Sequence, residues 1–125
     1  MFSISSRSIR RSLAAAAMVL LIAPTAAQAY VTTTSWQGND RSTSSATARS
    51  ITVYDGENDS RAVKAEWYQS GDSSMKLLTN GKGWDTSAST STSTAIKQHR
   101  TVEIIALRPD AVGKWYSTTT GKVIP

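Results

Sequence analysis

The chain has no cysteine among its 125 residues, so neither a disulfide nor a lipid-bearing thiol takes part in its folding or anchoring. It has one histidine, His99, which excludes a zinc site built from His and Cys and would leave a serine triad a single base to use. No G-x-S-x-G elbow is present to lift a serine nucleophile. Lys and Arg nowhere gather into a stripe that could follow a phosphate backbone, and no basic amphipathic helix is present to lie on a bilayer. Nucleic acid and membrane surfaces are therefore poor partners for this chain. Long apolar runs are missing too. Leu13 to Ala23 is an eleven-residue run. As a helix it would reach roughly 16 Å, about half of what a membrane span requires.

That short run has the flanks of an export signal. Arg7, Arg10 and Arg11 precede it, Pro24 stops it, and Ala27-Gln28-Ala29 supplies the small-x-small pattern of a signal-peptidase site. Residues 1–29 are therefore expected to be a secretory leader cut after Ala29, leaving residues 30–125 as one extracellular domain. Arg10-Arg11 would also suit twin-arginine export, but Ser12-Leu13-Ala14 continues that pattern poorly. Removing the leader changes the charge. The whole chain has 14 Lys plus Arg against 9 Asp plus Glu; three arginines and no acid leave with the leader, so eleven basic face nine acidic side chains. A formal +2 spread over such a domain is a weak electrostatic footprint.

An exported domain of this size without cross-links must be held by packing alone. Its aliphatic content is thin, and Trp36, Trp67, Trp84 and Trp115 are the large apolar side chains available to compensate. Each buried indole contributes about 4–6 kcal/mol gross. Trp67 and Trp115 are expected in the core. Val63, Ala65 and Trp67 alternate with Lys64, Glu66 and Tyr68, the period of two that marks a half-buried strand. Ile51 to Tyr54 alternates as well and runs into Asp55-Gly56, a two-residue turn signal. Thr101 to Arg108 has apolar residues on both faces and predicts a central strand covered on both sides, ended by Pro109-Asp110. Lys114 to Ser117 predicts the last substantial strand. Val31 to Ser50 predicts a short strand around Trp36, a turn at Gly38-Asn39-Asp40 and then a loop. TSASTSTSTA, residues 86–95, predicts an exposed loop or solvated edge strand, because its hydroxyls compete for backbone hydrogen bonds. With no helical periodicity after the leader, the fold class is all-β: a small antiparallel β-sandwich or barrel of six to seven short strands.

Two stretches, VYDGENDSRAVKAEWY (53–68) and RTVEIIALRPDAVGKWY (100–116), carry a resemblance. A strand running into an acidic turn, an alternating strand ending in aromatics, and a Pro-Asp turn before a tryptophan together resemble small exported β-rich proteins of high-GC Gram-positive bacteria. The resemblance implies secretion and a β domain, and brings no activity with it. Such proteins often have cysteines near the positions of Tyr54, Val102 and Val112, and this chain departs from them by lacking the implied disulfides.

Three chemical readings compete for the remaining residues. Asp55, Glu57 and Asp59 at alternate positions, with Glu66 eleven residues after Asp55, imitate the oxygen spacing of a calcium loop, although Ser60 stands where that loop needs Gly. The plainer alternative is a solvated acidic loop, and no cofactor is otherwise called for. Glu66 and Glu103 are the carboxylates that a glycosidase would have to use, but Lys64 beside Glu66 would hold it ionised, the reverse of what a general acid needs. His99, between Gln98 and Arg100, is expected to be exposed. The third reading is non-catalytic binding outside the cell. Trp36, Trp84, Tyr54, Tyr68 and Tyr116 are the candidates for stacking on sugar rings of cell-wall polysaccharide, and a sheet edge is the candidate surface for another extracellular protein, including a bacteriocin-like role.

Overall fold

A computed structural model describes residues 29–125; the expected leader, residues 1–29, lies outside them except for Ala29. Among the described residues there are nine strands and no helix. They are β1 (Thr33–Gln37), β2 (Asp40–Ser44), β3 (Ser50–Asp55), β4 (Ala62–Gln69), β5 (Lys76–Asn80), β6 (Thr86–Ser91), β7 (Ile96–Ile105), β8 (Arg108–Val112) and β9 (Tyr116–Ser117). Every pairing is antiparallel, in two sheets ordered β1-β2-β3-β6 and β5-β4-β7-β8, with β9 also paired to β7. The all-β class holds, and the sheets form a sandwich rather than a closed barrel.

Nine strands exceed the expected six to seven for a physical reason. β2 (DRSTS) and β6 (TSASTS) have almost no apolar side chain to mark them, yet both flank β3, whose alternation is strong. Pairing with β3 satisfies their backbones. β8 also forms where Pro109-Asp110 predicts a stop, because the chain reverses within two residues and pairs back on β7. That reversal places Ala106 at φ 49° and Leu107 at φ 65°, the left-handed region that a type I′ turn normally gives to Asn-Gly. The last strand is short: Trp115 falls outside it, and β9 holds only Tyr116 and Ser117.

Asp55-Gly56 is not a hairpin turn. β3 ends there and the chain leaves the first sheet, crossing to β4 in the second. Gly38 and Gly56 build that corner. Gly38 has φ 59° and lies directly against the Glu57 carboxylate, while Gly56 lies against the Asn39 carbonyl, so neither position has space for a Cβ.

The two inner faces meet unevenly. Ile51 and Val53 of β3 face Val63, Ala65 and Trp67 of β4, closed by Ala48, Ala95 and Ile96. Beside this apolar half, β1 and β2 turn Thr33, Ser35, Ser42 and Ser44 toward His99 and Thr101 of β7, all buried. Trp67 is in the core as expected. Trp115 is not: it is half-buried against Tyr68 on the second sheet, with ring centroids 5.4 Å apart. β7 is covered on both faces over Thr101 to Ile104 only; the rest of the run expected to be covered, Ile105 to Arg108, is exposed, because the chain turns back there into β8.

Candidate functional site

Three sets of side chains stand out, and strand register assembles each. The first lies on the outer face of the first sheet. Trp36 of β1 is opposite Arg41 of β2, which is opposite Tyr54 of β3. The Arg41 guanidinium lies 4.0 Å from the Tyr54 ring centroid and 5.4 Å from that of Trp36, so one cation braces two aromatic faces. Trp36 remains 49 % exposed. The neighbouring row is made of hydroxyls: Thr34 and Thr43 are 3.2 Å apart, and Thr52 and Ser89 are 2.7 Å apart. At the end of the aromatic row the Tyr54 hydroxyl donates to Asp85 Oδ1 at 2.7 Å. Asp85 follows Trp84, which is 57 % exposed and forms one wall of a cleft of about 370 Å³ with Asp55, Glu57, Asn58 and Arg61. Of the five candidate stacking aromatics, the fold brings Trp36 and Tyr54 together and places Trp84 just beyond them. Tyr68 and Tyr116 belong to the opposite sheet.

The second set is the buried polar half. Thr101 Oγ1 donates to the Ser35 carbonyl at 2.7 Å and contacts Ser42 Oγ at 2.9 Å, and Ser42 Oγ lies 2.9 Å from His99 Nδ1. His99 is fully buried, against expectation, because it and Thr101 face the serines of β1 and β2 across the sandwich. Its Nε2 has no hydrogen-bond partner. Burial lowers its pKa to about 4, with the Thr33 backbone acting in the opposite direction, so the ring is neutral at pH 7. A serine and histidine sealed from solvent cannot meet a substrate.

The third set is acidic and sits where the two sheets are joined by the β3–β4 crossing. Asp40 opens β2, Glu57 lies in the crossing loop and Glu103 comes from β7, and one carboxylate oxygen of each lies within 4.8 Å of the others. Asp40 is 0 % exposed; its Oδ1 accepts the Gly56 N–H at 2.9 Å, and its Oδ2 has no partner. Burial, reinforced by Glu57, Asp55 and Asp59, pushes its pKa up to about 6. Burial also pushes Glu103 up to about 7, with Asp59 adding to the effect. The Glu103 side chain beside it in turn holds Asp59 below the ordinary carboxylate range. Arg61 lies 3.2 Å from both Glu103 and Asp110.

Of the residues read as a calcium loop, Glu57 and Asp59 join this cluster and Asp55 is its close neighbour. Glu66 is held elsewhere. It lies on the outer face of β4, 2.8 Å from Arg100 Nε and 3.1 Å from Lys64 Nζ, with Arg100 in turn over the Trp115 ring. Glu66 and Glu103 therefore occupy different faces and form no catalytic pair. Asp40 and Glu103 were missed as cluster members. The one signal for Glu103 is its place as the acid in the otherwise apolar run Val102-Glu103-Ile104-Ile105.

Fold and site together define a small all-β sandwich with one aromatic-polar face and a buried acidic end. No protein-family model, no curated protein and no solved structure matches the chain.

Proposed function

We propose that this chain is a secreted, non-catalytic binding domain that recognises polysaccharide at or outside the cell surface through the outer face of the β1-β2-β3-β6 sheet. The carrying observation is the row Trp36–Arg41–Tyr54, in which a half-exposed indole and a phenol share one guanidinium. Aromatic faces stack on the C–H faces of sugar rings, and the adjoining hydroxyl row supplies donors and acceptors for sugar hydroxyls. Trp84 and its polar cleft extend the same surface. Retention of the purified protein on insoluble polysaccharides of several linkages tests this reading. Trp36→Ala is expected to weaken retention by about tenfold or more, and Trp84→Ala to weaken it less. Failure of every polysaccharide to retain the unaltered protein overturns the reading.

The leader is part of the same proposal: cleavage after Ala29 releases a domain that, among the described residues, ties its start down by Val31 N–H donating to the Thr118 carbonyl at 2.9 Å. N-terminal sequencing of the exported form is expected to begin at Tyr30.

One observation favours a protein partner as the second reading. The β7–β8 turn projects Leu107, 97 % exposed, beside exposed Ile105. Growth inhibition of neighbouring cells by the purified domain, lost on Leu107→Ser, would select this bacteriocin-like reading over the first.

A further inference from the structure

We propose that Asp40, Glu57, Asp59 and Glu103 form a binding site for a divalent cation, calcium by the hardness of its all-oxygen donor set, which ties the β1–β2 turn, the β3–β4 crossing and β7 together. The inference uses none of the aromatic residues of the sugar reading, although Glu57 also lines the cleft beside Trp84.

The geometry comes first. Calcium takes carboxylate oxygens at about 2.3–2.6 Å, so two ligand oxygens on opposite sides of one ion are separated by up to about 5 Å. Oxygens of Asp40, Glu57 and Glu103 within 4.8 Å of one another fit around such an ion, and they come from three separate elements of both sheets. Asp59 adjoins Glu103 and can supply a fourth side chain.

A cluster of acids does not by itself make a site; the buried orphan at its centre is the second observation. Asp40 is completely enclosed, yet Oδ2 accepts no hydrogen bond. An enclosed carboxylate oxygen without a donor is costly unless a cation or a proton occupies the space it faces. Glu57 adds a complementary detail: its Oε1 is oriented by the Asn39 N–H at 2.9 Å.

Charge points the same way. Asp40, Asp55, Glu57, Asp59, Glu103 and Asp110 converge on this end, and Arg61 is the cation that lies among them. Arg61 sits at the rim between Glu103 and Asp110 and is bonded to neither oxygen of Asp40.

The test uses the purified protein freed of metal with a chelator at pH 7. Calcium titration by calorimetry is expected to show one saturable site with Kd in the range of about 0.1–1 mM, as for extracellular modules. Calcium at 10 mM is expected to raise Tm by at least ~5 °C. Asp40→Asn and Glu57→Gln are expected to lose both effects. Asp72→Asn, in the β4–β5 turn and paired to Lys76, is expected to keep both. If Asp40→Asn does not fold, Glu57→Gln decides, because Glu57 is only half-buried. Absence of saturable binding overturns the proposal, and so does binding that survives Glu57→Gln undiminished. A metal-free Tm that rises from pH 8 to pH 5 with no calcium response at pH 7 also overturns it, since protons alone would then neutralise the cluster.

Discussion

The two halves of the interior are built from different strands in different chemistry. Between β3 and β4 the layer is Ile51, Val53, Val63, Ala65 and Trp67, and its stability comes from area removed from water. Between β1–β2 and β7 the layer is Thr33, Ser35, Ser42, His99 and Thr101, and little area is gained there. That half is held by hydrogen bonds whose net worth is small while intact and large when one partner is lost. The comparison teaches that burial alone does not identify a core: one side tolerates changes that preserve volume, the other changes that preserve pairing.

Breaking the apolar half is expected to have the largest effect. Trp67→Ala should cost about 3–5 kcal/mol, measured by urea unfolding, which for a domain of this size threatens folding outright. The polar half should respond to acid instead. Because the His99 pKa is lowered in the fold, to about 4, its contribution is whole above pH 6.5 and disappears as the pH falls toward 4, a loss of about 3 kcal/mol. Asp40 and Glu103 act in the opposite sense in metal-free protein, their contribution disappearing as the pH rises through about 6 and about 7. The slope of stability against pH in His99→Gln, compared with the unaltered chain, isolates the histidine. Thr101→Val keeps the shape and removes the hydroxyl that donates to the buried Ser35 carbonyl and contacts Ser42 Oγ, for an expected loss of about 1–3 kcal/mol. If it costs nothing, the polar half is wet and the comparison fails. The smallest effect is a gain: Asn-Gly in place of Ala106-Leu107 relieves two left-handed residues and should add about 1 kcal/mol.

Much of the fold was legible wherever a side-chain alternation was strong. Val63 to Tyr68 and Thr101 to Ile104 reveal their strands because apolar residues must face a layer. β2 and β6 do not, because their serines and threonines fit a loop as well as a strand until β3 is beside them. His99 reads as exposed from Gln98 and Arg100, which do point outward; only the facing serines of the other sheet make its position polar enough to enclose it. The acidic end was half legible. Glu57 and Asp59 are near neighbours in the chain, whereas Asp40 and Glu103 reach them through pairings that span the whole domain.

The abutment of Gly38 on Glu57 and of Gly56 on Asn39 has an evolutionary consequence. Gly56 abuts backbone, which no substitution across the corner can withdraw, whereas Gly38 abuts a side chain that can be shortened. In any lineage that keeps this corner, Gly56 should therefore be held, and positions 38 and 57 should vary together.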